Sequence, residues 1–323
     1  MNNPVNAVIL AGEGKDSRTI LGKSKLHLTI NEQPLIVTIL LALLDVEGIE
    51  RICIVGPAEE INKILKTHLS QREFTKPIAV IEQRDNIFEN CEAAVAHCVP
   101  GFSTSMDEVS PAYQYSTFLL LPVDIPFVTS AELEEFLTNF YNEDLDYAVG
   151  MTEESALKKF YPTQQQPGIA PNYLHLREGN FRLNNLHLIR PFQVHNRQFI
   201  AKMYTRRHQS NILNIVKTLY DFLITERMGF GPVFFFVYLE MLVLMKYMGF
   251  EKILKQGRKL APGRKVADYT SKLLQAKVAI VETTIGGCAT DIDSDEDYEA
   301  VQSRYKEWAS AVERAISSTK EHK

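Results

Sequence analysis

The chain has 323 residues, with 35 Lys and Arg against 40 Asp and Glu for a formal net charge of −5, and is 45% hydrophobic. At about 150 residues per domain this length suits about two domains, and it can bury a full core without disulfide or metal staples. Charged residues at 23% and aromatics at 10% exclude disordered, collagen-like or low-complexity chains, and the mild acidity argues against a nucleic-acid coat.

Met1 to Asn6 is polar and runs straight into a strand, so no signal peptide is expected. The cysteines, Cys53, Cys91, Cys98 and Cys288, form no Cys-x-x-Cys and are expected as reduced thiols of a cytoplasmic protein. In chain order, Ala7–Leu10 predicts a strand, Leu35–Leu44 a helix and Arg51–Val55 a strand. Glu59–Leu69 predicts a helix, Ile78–Ile81 a strand and Asn86–Val99 a helix. Ser116–Leu121, Ser130–Tyr141 and Tyr147–Met151 continue as strand, helix and strand. This alternation predicts an α/β fold: a Rossmann-like, mostly parallel sheet flanked by helices on both faces.

The alternation breaks after residue 151. Two short strand-like pieces, Tyr173–Leu176 and Leu186–Ile189, precede a mainly helical stretch, and then Ala276–Val281 predicts a strand and Asp295–Ile316 a helix. The expectation is one core, 1–150 with 276–323, interrupted by a mainly helical insertion, 151–275, for acceptor binding or oligomerisation. Within it, Gly231–Gly249 predicts an apolar helix of about 17 residues, some 25 Å long. That is shorter than the ~30 Å hydrocarbon core of a bilayer. With Glu240 in its middle, burial or packing in a homodimer is expected rather than a transmembrane span. Peripheral membrane contact is the alternative, because Lys252, Lys255, Arg258, Lys259, Arg264 and Lys265 follow it against the single acid Glu251.

Ligands of open parallel sheets bind at the carboxyl ends of the strands. Directly after the first strand comes Ala11-Gly12-Glu13-Gly14-Lys15-Asp16-Ser17-Arg18, followed by Lys23 and Lys25. Glycines turn backbone amides toward an anion and the cations add charge, which suits a phosphate-bearing ligand. Neither a Gly-x-Gly-x-x-Gly fingerprint nor a Walker loop is present, since Ser17 stands where each needs glycine. Asp124, between Pro122 and Pro126 after the fourth strand, is placed to hold Mg²⁺ or to start an ordinary turn. Asp291 and Asp293 alternate onto one side of an extended segment and complete an oxygen-rich site for Mg²⁺. Ser294 with Asp297 has helix-capping spacing. His27, His97, His187 and His208 show no metal spacing among them, and Cys91 and Cys98 read as core.

Taken together, AVILAGEGKDSRTILGKSKLHLTINEQPLI, LLLPVDIPFVT and TDIDSDEDYEAV resemble, in order, the phosphate-loop, metal-site and closing motifs of MobA-like nucleotidyltransferases. LHLREGNFRLNNLHLIRP is similar to a subgroup carrying Gly-Gly-Asn where Asn184-Asn185 stands here. The resemblance implies attack of a phosphate or hydroxyl oxygen of a small acceptor on the α-phosphate of a nucleoside triphosphate, with release of pyrophosphate. It implies a nucleotide site of Leu10, Ala11, Gly12, Gly14, Arg18, Lys25, Gln83, Asn86 and Asn90. Arg18, Lys25 and Asp124 would be catalytic, Asp124, Asp291 and Asp293 would hold Mg²⁺, and Asn185 and Arg206 would meet the acceptor. Asn86 equally suits a helix cap. Two departures stand out. Glu13 replaces the second glycine of the family's LAGG, leaving open a nucleotide-binding regulatory protein of weak activity. Asp124-Ile125-Pro126 lacks the Asp-x-Asp of sugar-transferring relatives.

Overall fold

A computed structural model describes residues 4–13, 18–102, 109–197 and 230–321. The expected alternation is present. Strand β1 (Val5–Leu10) leads through the small hairpin β2 (Thr29–Ile30) and β3 (Gln33–Pro34) into α1 (Leu35–Leu44). Then come β4 (Ile49–Gly56), α2 (Ala58–Leu69), β5 (Ile78–Glu82), α3 (Ile87–Cys98), β6 (Thr117–Pro122), α4 (Ser130–Asn142) and β7 (Tyr147–Glu153). After the single turn α5 (Glu154–Leu157) follow β8 (Leu174–His175) and β9 (Asn180–Ile189). Next are α6 (Phe230–Tyr247), α7 (Glu251–Gly257), α8 (Gly263–Leu274), β10 (Val278–Thr283) and α9 (Asp295–Glu321).

Among the described residues the main sheet has eight strands in the order β10-β7-β9-β6-β1-β4-β5, with β8 paired to β9. Its strands are parallel except β9, which runs antiparallel between β6 and β7. Strand periodicity divides the core in two. Ala7, Ile9, Ile52, Ile54, Leu119 and Leu121 face α1 and α4, while the intervening Val8, Cys53, Val55 and Phe118 face α3. Both faces are covered, which explains the unbroken apolar runs of these strands.

Two features differ from the sequence expectation. Strand β9 lies inside the stretch expected as a helical insertion, yet it fills the centre of the sheet, hydrogen-bonded on both edges. Its second half coincides with the expected strand-like piece Leu186–Ile189, while the polar residues Asn180, Arg182, Asn184 and Asn185 hide the first half from a reading of local pattern, and long-range pairing overrides it. Among the described residues, helix α6 is covered on one side. Phe235, Leu239 and Leu242 pack with Met151 and Leu176, whereas Met241 and Leu244 are exposed. No helix among the described residues is long and apolar enough to cross a membrane.

The last helix, α9, is fixed by an aromatic cluster. Trp308 is fully buried and meets Phe127 and Phe160 edge-on, while Phe127 stacks on Tyr305. Arg304 lies over the Trp308 ring and donates to the carbonyls of Tyr161 and Pro167. Phe127 sits three residues past Asp124, so this cluster holds the turn after β6 against the segment that enters α9.

Candidate active site

The segments leaving the carboxyl ends of β1, β6 and β10 converge. After β1 a single helical turn, Lys25–His27, is capped by Ser24, whose hydroxyl accepts from the amide of Leu26. Leu26 and Leu28 are buried, so Lys25 and His27 alternate away from the core. The Lys25 ammonium donates to Asp124 Oδ2 at 2.5 Å and to Asp293 Oδ1 at 2.8 Å. The amide of Ile292 donates to the Asp124 carbonyl at 3.0 Å, tying the two acidic segments by backbone as well. Leu21 and Asp295 add a link between the first loop and the start of α9.

Asp124 is only 8% exposed, and its Oδ1 is buried without a hydrogen-bond partner among the described residues. Burial pushes its carboxyl above the ordinary range, opposed by Lys25. Burial also raises Asp291, to about 6, although the Arg182 guanidinium pairs with it. Burial would raise Asp293, nearer solvent, but Lys25 with Asp291 and Arg182 together hold it below its ordinary value. Burial would lower the Lys25 ammonium, but Asp124 and Asp293 together hold it above its usual value. The buried, unpartnered Asp124 Oδ1, with the Asp291 and Asp293 carboxylates near enough to shift one another's charge, is oxygen chemistry of the kind that suits Mg²⁺, although the three are not drawn together as closely as Glu13, His27 and Glu60 are.

Around this centre the structure separates the sequence-predicted residues. Gly12 is required by space: a Cβ there would lie 2.7 Å from Asn90 Nδ2 and 3.3 Å from Gln83 Oε1. Gln83 Oε1 accepts from the Glu13 amide at 2.6 Å, so this carboxamide shapes the loop backbone. Asn90 is buried and accepts from the Arg84 amide, which places it beneath the loop rather than open to a base. Asn86 is the N-cap of α3, bonding the amide and carboxylate of Glu89, so the capping alternative holds. Leu10 ends β1 between Val55 and Pro122, and Ala11 extends that ladder by donating to the Val55 carbonyl. Arg18 is exposed. Asn185 bonds the Cys288 carbonyl through both its amide and its carboxamide, and so fastens the loop after β10. Gly14 and Arg206 lie outside the described residues. Glu13 gathers with His27 and Glu60, their ligand atoms within 4.8 Å of one another, so its carboxylate faces α2.

Two residues escaped the sequence reading. Arg182, on β9, brings a cation to Asp291 from the half of the strand that the sequence hid. Glu132, in the first turn of α4, is fully buried and acts as a clamp. Its carboxylate accepts from Thr283 Oγ1 at 2.9 Å, the Gly286 amide at 3.1 Å and the Cys288 amide at 3.0 Å. It thereby shapes the loop that carries Asp291. Gly287 in that loop passes so close to Phe127 that a Cβ would fall 2.0 Å from its carbonyl oxygen. The adjacent Gly286-Gly287 pair was the available signal for such a close approach.

The family model of the MobA-like NTP transferase domain matches residues 7–211. The chain belongs to this family. No curated protein matches it in sequence. Among solved structures, this MobA-like chain is similar to a hypothetical transferase from Thermus thermophilus, with TM-score 0.57 and 18% identity over 91% of this chain and 99% of the other. More distant likenesses are to a CMP:2-keto-3-deoxy-manno-octonic acid synthetase complexed with CTP (TM-score 0.46, 12% identity, covering 94% and 99%) and to a 4-diphosphocytidyl-2C-methyl-D-erythritol synthase from Anaerococcus prevotii (TM-score 0.44, 12% identity, covering 94% and 96%).

Proposed function

We propose that this MobA-like protein is a Mg²⁺-dependent nucleotidyltransferase of the cell interior. It moves a nucleoside monophosphate from a triphosphate to a phosphate- or hydroxyl-bearing small acceptor. The observation that supports this most is the Lys25 ammonium held between Asp124 and Asp293, with Asp291 alongside, at the strand ends. An acceptor oxygen forms a bond to the α-phosphorus as the bond to the β-phosphate bridging oxygen breaks, and pyrophosphate departs. Such transfers depend on positioning and charge neutralisation more than on covalent help from the protein.

Asp124, Asp291 and Asp293 would hold Mg²⁺, which when bound offsets negative charge on the phosphates. Lys25 stabilises charge on the transferring and leaving groups, and the Gly12–Gly14 backbone with Arg18 receives the outer phosphates. Gln83 and Asn90 hold the loop in shape. The acceptor approaches along β9, where Arg182 and Asn180 are two residues apart and share a face. Arg182 there can turn from Asp291 to an anionic acceptor group.

Glu13 favours a second reading, a protein that binds nucleotide without turnover, since its Oε1 is buried and lacks a partner among the described residues. Incubation with each nucleoside triphosphate, Mg²⁺ and a panel of sugar phosphates, polyol phosphates and sugar acids separates the two. Pyrophosphate release supports transfer. Saturable nucleotide binding with no release across the panel supports the regulatory reading.

A further inference from the structure

A helix that is apolar all round is ordinarily covered on every side. Helix α6 has apolar residues around its circumference, yet beyond its packed face Leu244 is 55% exposed and Met248, just past the helix, 52%. The chain then turns at Gly249, whose φ of +76° suits glycine, and presents Phe250 at 48% and Ile253 at 53% exposure as α7 begins. Four large apolar side chains thus project from one helical corner. Lys252, Lys255 and Lys259 are exposed beside them. The neighbouring acid Glu251 is paired with Lys246 at 2.6 Å, so the lysines set the local sign on a chain of net charge −5.

We propose that the α6–α7 corner docks on an anionic lipid bilayer surface. The four apolar side chains enter the headgroup region and the lysines meet the lipid phosphates, the division of labour of an interfacial helix. The corner lies on the bilayer and does not span it, because no described helix is long and apolar enough to do so. Charge argues against a second copy as the occupant. A two-fold contact through this corner would set its lysines against the same lysines of the other copy. The proposal goes beyond nucleotidyl transfer and stands or falls separately from it.

Flotation of the whole chain tests it, with vesicles of phosphatidylglycerol and phosphatidylcholine against vesicles of phosphatidylcholine alone. Binding is expected only to the anionic vesicles and is expected to weaken as salt is raised. Lys252→Glu with Lys255→Glu should reduce the bound fraction about tenfold, and Phe250→Ser with Ile253→Ser should reduce it comparably. All four positions are exposed, so thermal melting and nucleotide binding should match wild type. Failure of the wild-type chain to float with anionic vesicles would overturn the proposal, as would flotation indifferent to both double variants. A dimer in sedimentation that Phe250→Ser with Ile253→Ser disperses, without lipid binding, would reassign the corner to a second copy and overturn it equally.

Discussion

The amide of Ile292 donates to the carbonyl of Asp124 at 3.0 Å, joining two acidic segments that lie 168 positions apart in sequence. The bond fixes the backbone from which Asp124, Asp291 and Asp293 project. Lys25 then crosses the gap from a third segment, so the charged centre is set by backbone and ion pairs together.

Asp124→Asn should remove most turnover while leaving the fold in place. The amide keeps the side-chain volume but not the charge that Lys25 faces. A loss of about a hundredfold or more in kcat is expected, in line with the removal of one preorganised electrostatic group. Circular dichroism and a melting curve check the fold, and a near-normal rate would remove Asp124 from the chemistry.

Gly12→Ala should weaken nucleotide binding, because the new methyl would press on Asn90 Nδ2 at 2.7 Å. The obstacle is a side chain, not backbone, so the effect should be reversible. Gly12→Ala with Asn90→Ala should recover part of the lost affinity in calorimetric titration with nucleotide. A double variant no better than the sum of the two single losses would contradict this account of the loop.

Glu132→Gln should destabilise the protein. One carboxylate oxygen becomes a donor facing groups that themselves donate, the Gly286 and Cys288 amides and the Thr283 hydroxyl. A buried donor left unsatisfied costs about 1–3 kcal/mol. Urea denaturation measures that loss, and turnover should fall as well because the Asp291 loop loses its clamp. An unchanged midpoint would show that Glu132 is neutral and already donates a proton within the cluster.

Acid should destabilise the fold partly through His187. Burial lowers its pKa to about 4, and its Nδ1 lies 2.8 Å from the Tyr147 hydroxyl. The unfolded chain binds this proton near pH 6.5, whereas the folded chain resists until about pH 4. The neutral ring's contribution is therefore complete above pH 6.5 and is lost as pH falls toward 4, to a limit of about 3 kcal/mol. Stability measured across this window in His187→Gln should show a shallower slope than wild type, and an equal slope would refute the assignment.

Much of the fold was legible because its strands are short apolar runs separated by amphipathic helices, a pattern that needs only local information. The capping residues Asn86 and Ser294 were legible for the same reason: each bonds an amide three residues on. Only the second half of strand β9, Leu186–Ile189, was legible; in the first half Asn180, Arg182, Asn184 and Asn185 are placed by pairing with distant strands and loops. Asn184, for example, is buried against Gly150 and donates to Thr283. Arg182 was missed with that half of its strand. Glu132 was missed because an acid in a first helical turn ordinarily answers the helix dipole at the surface. Only the folded loop after β10 turns it into a buried acceptor.

Nucleotidyl transfer differs from phosphoryl transfer in which phosphorus is attacked. Triphosphate labelled at either the α- or the γ-phosphate, given with Mg²⁺ and an acceptor from the panel, distinguishes the two most directly. The account predicts α-label in the acceptor product and γ-label in pyrophosphate, both lost in Asp124→Asn. Transfer of γ-label to the acceptor, its release as orthophosphate, or an unchanged rate in Asp124→Asn would contradict it.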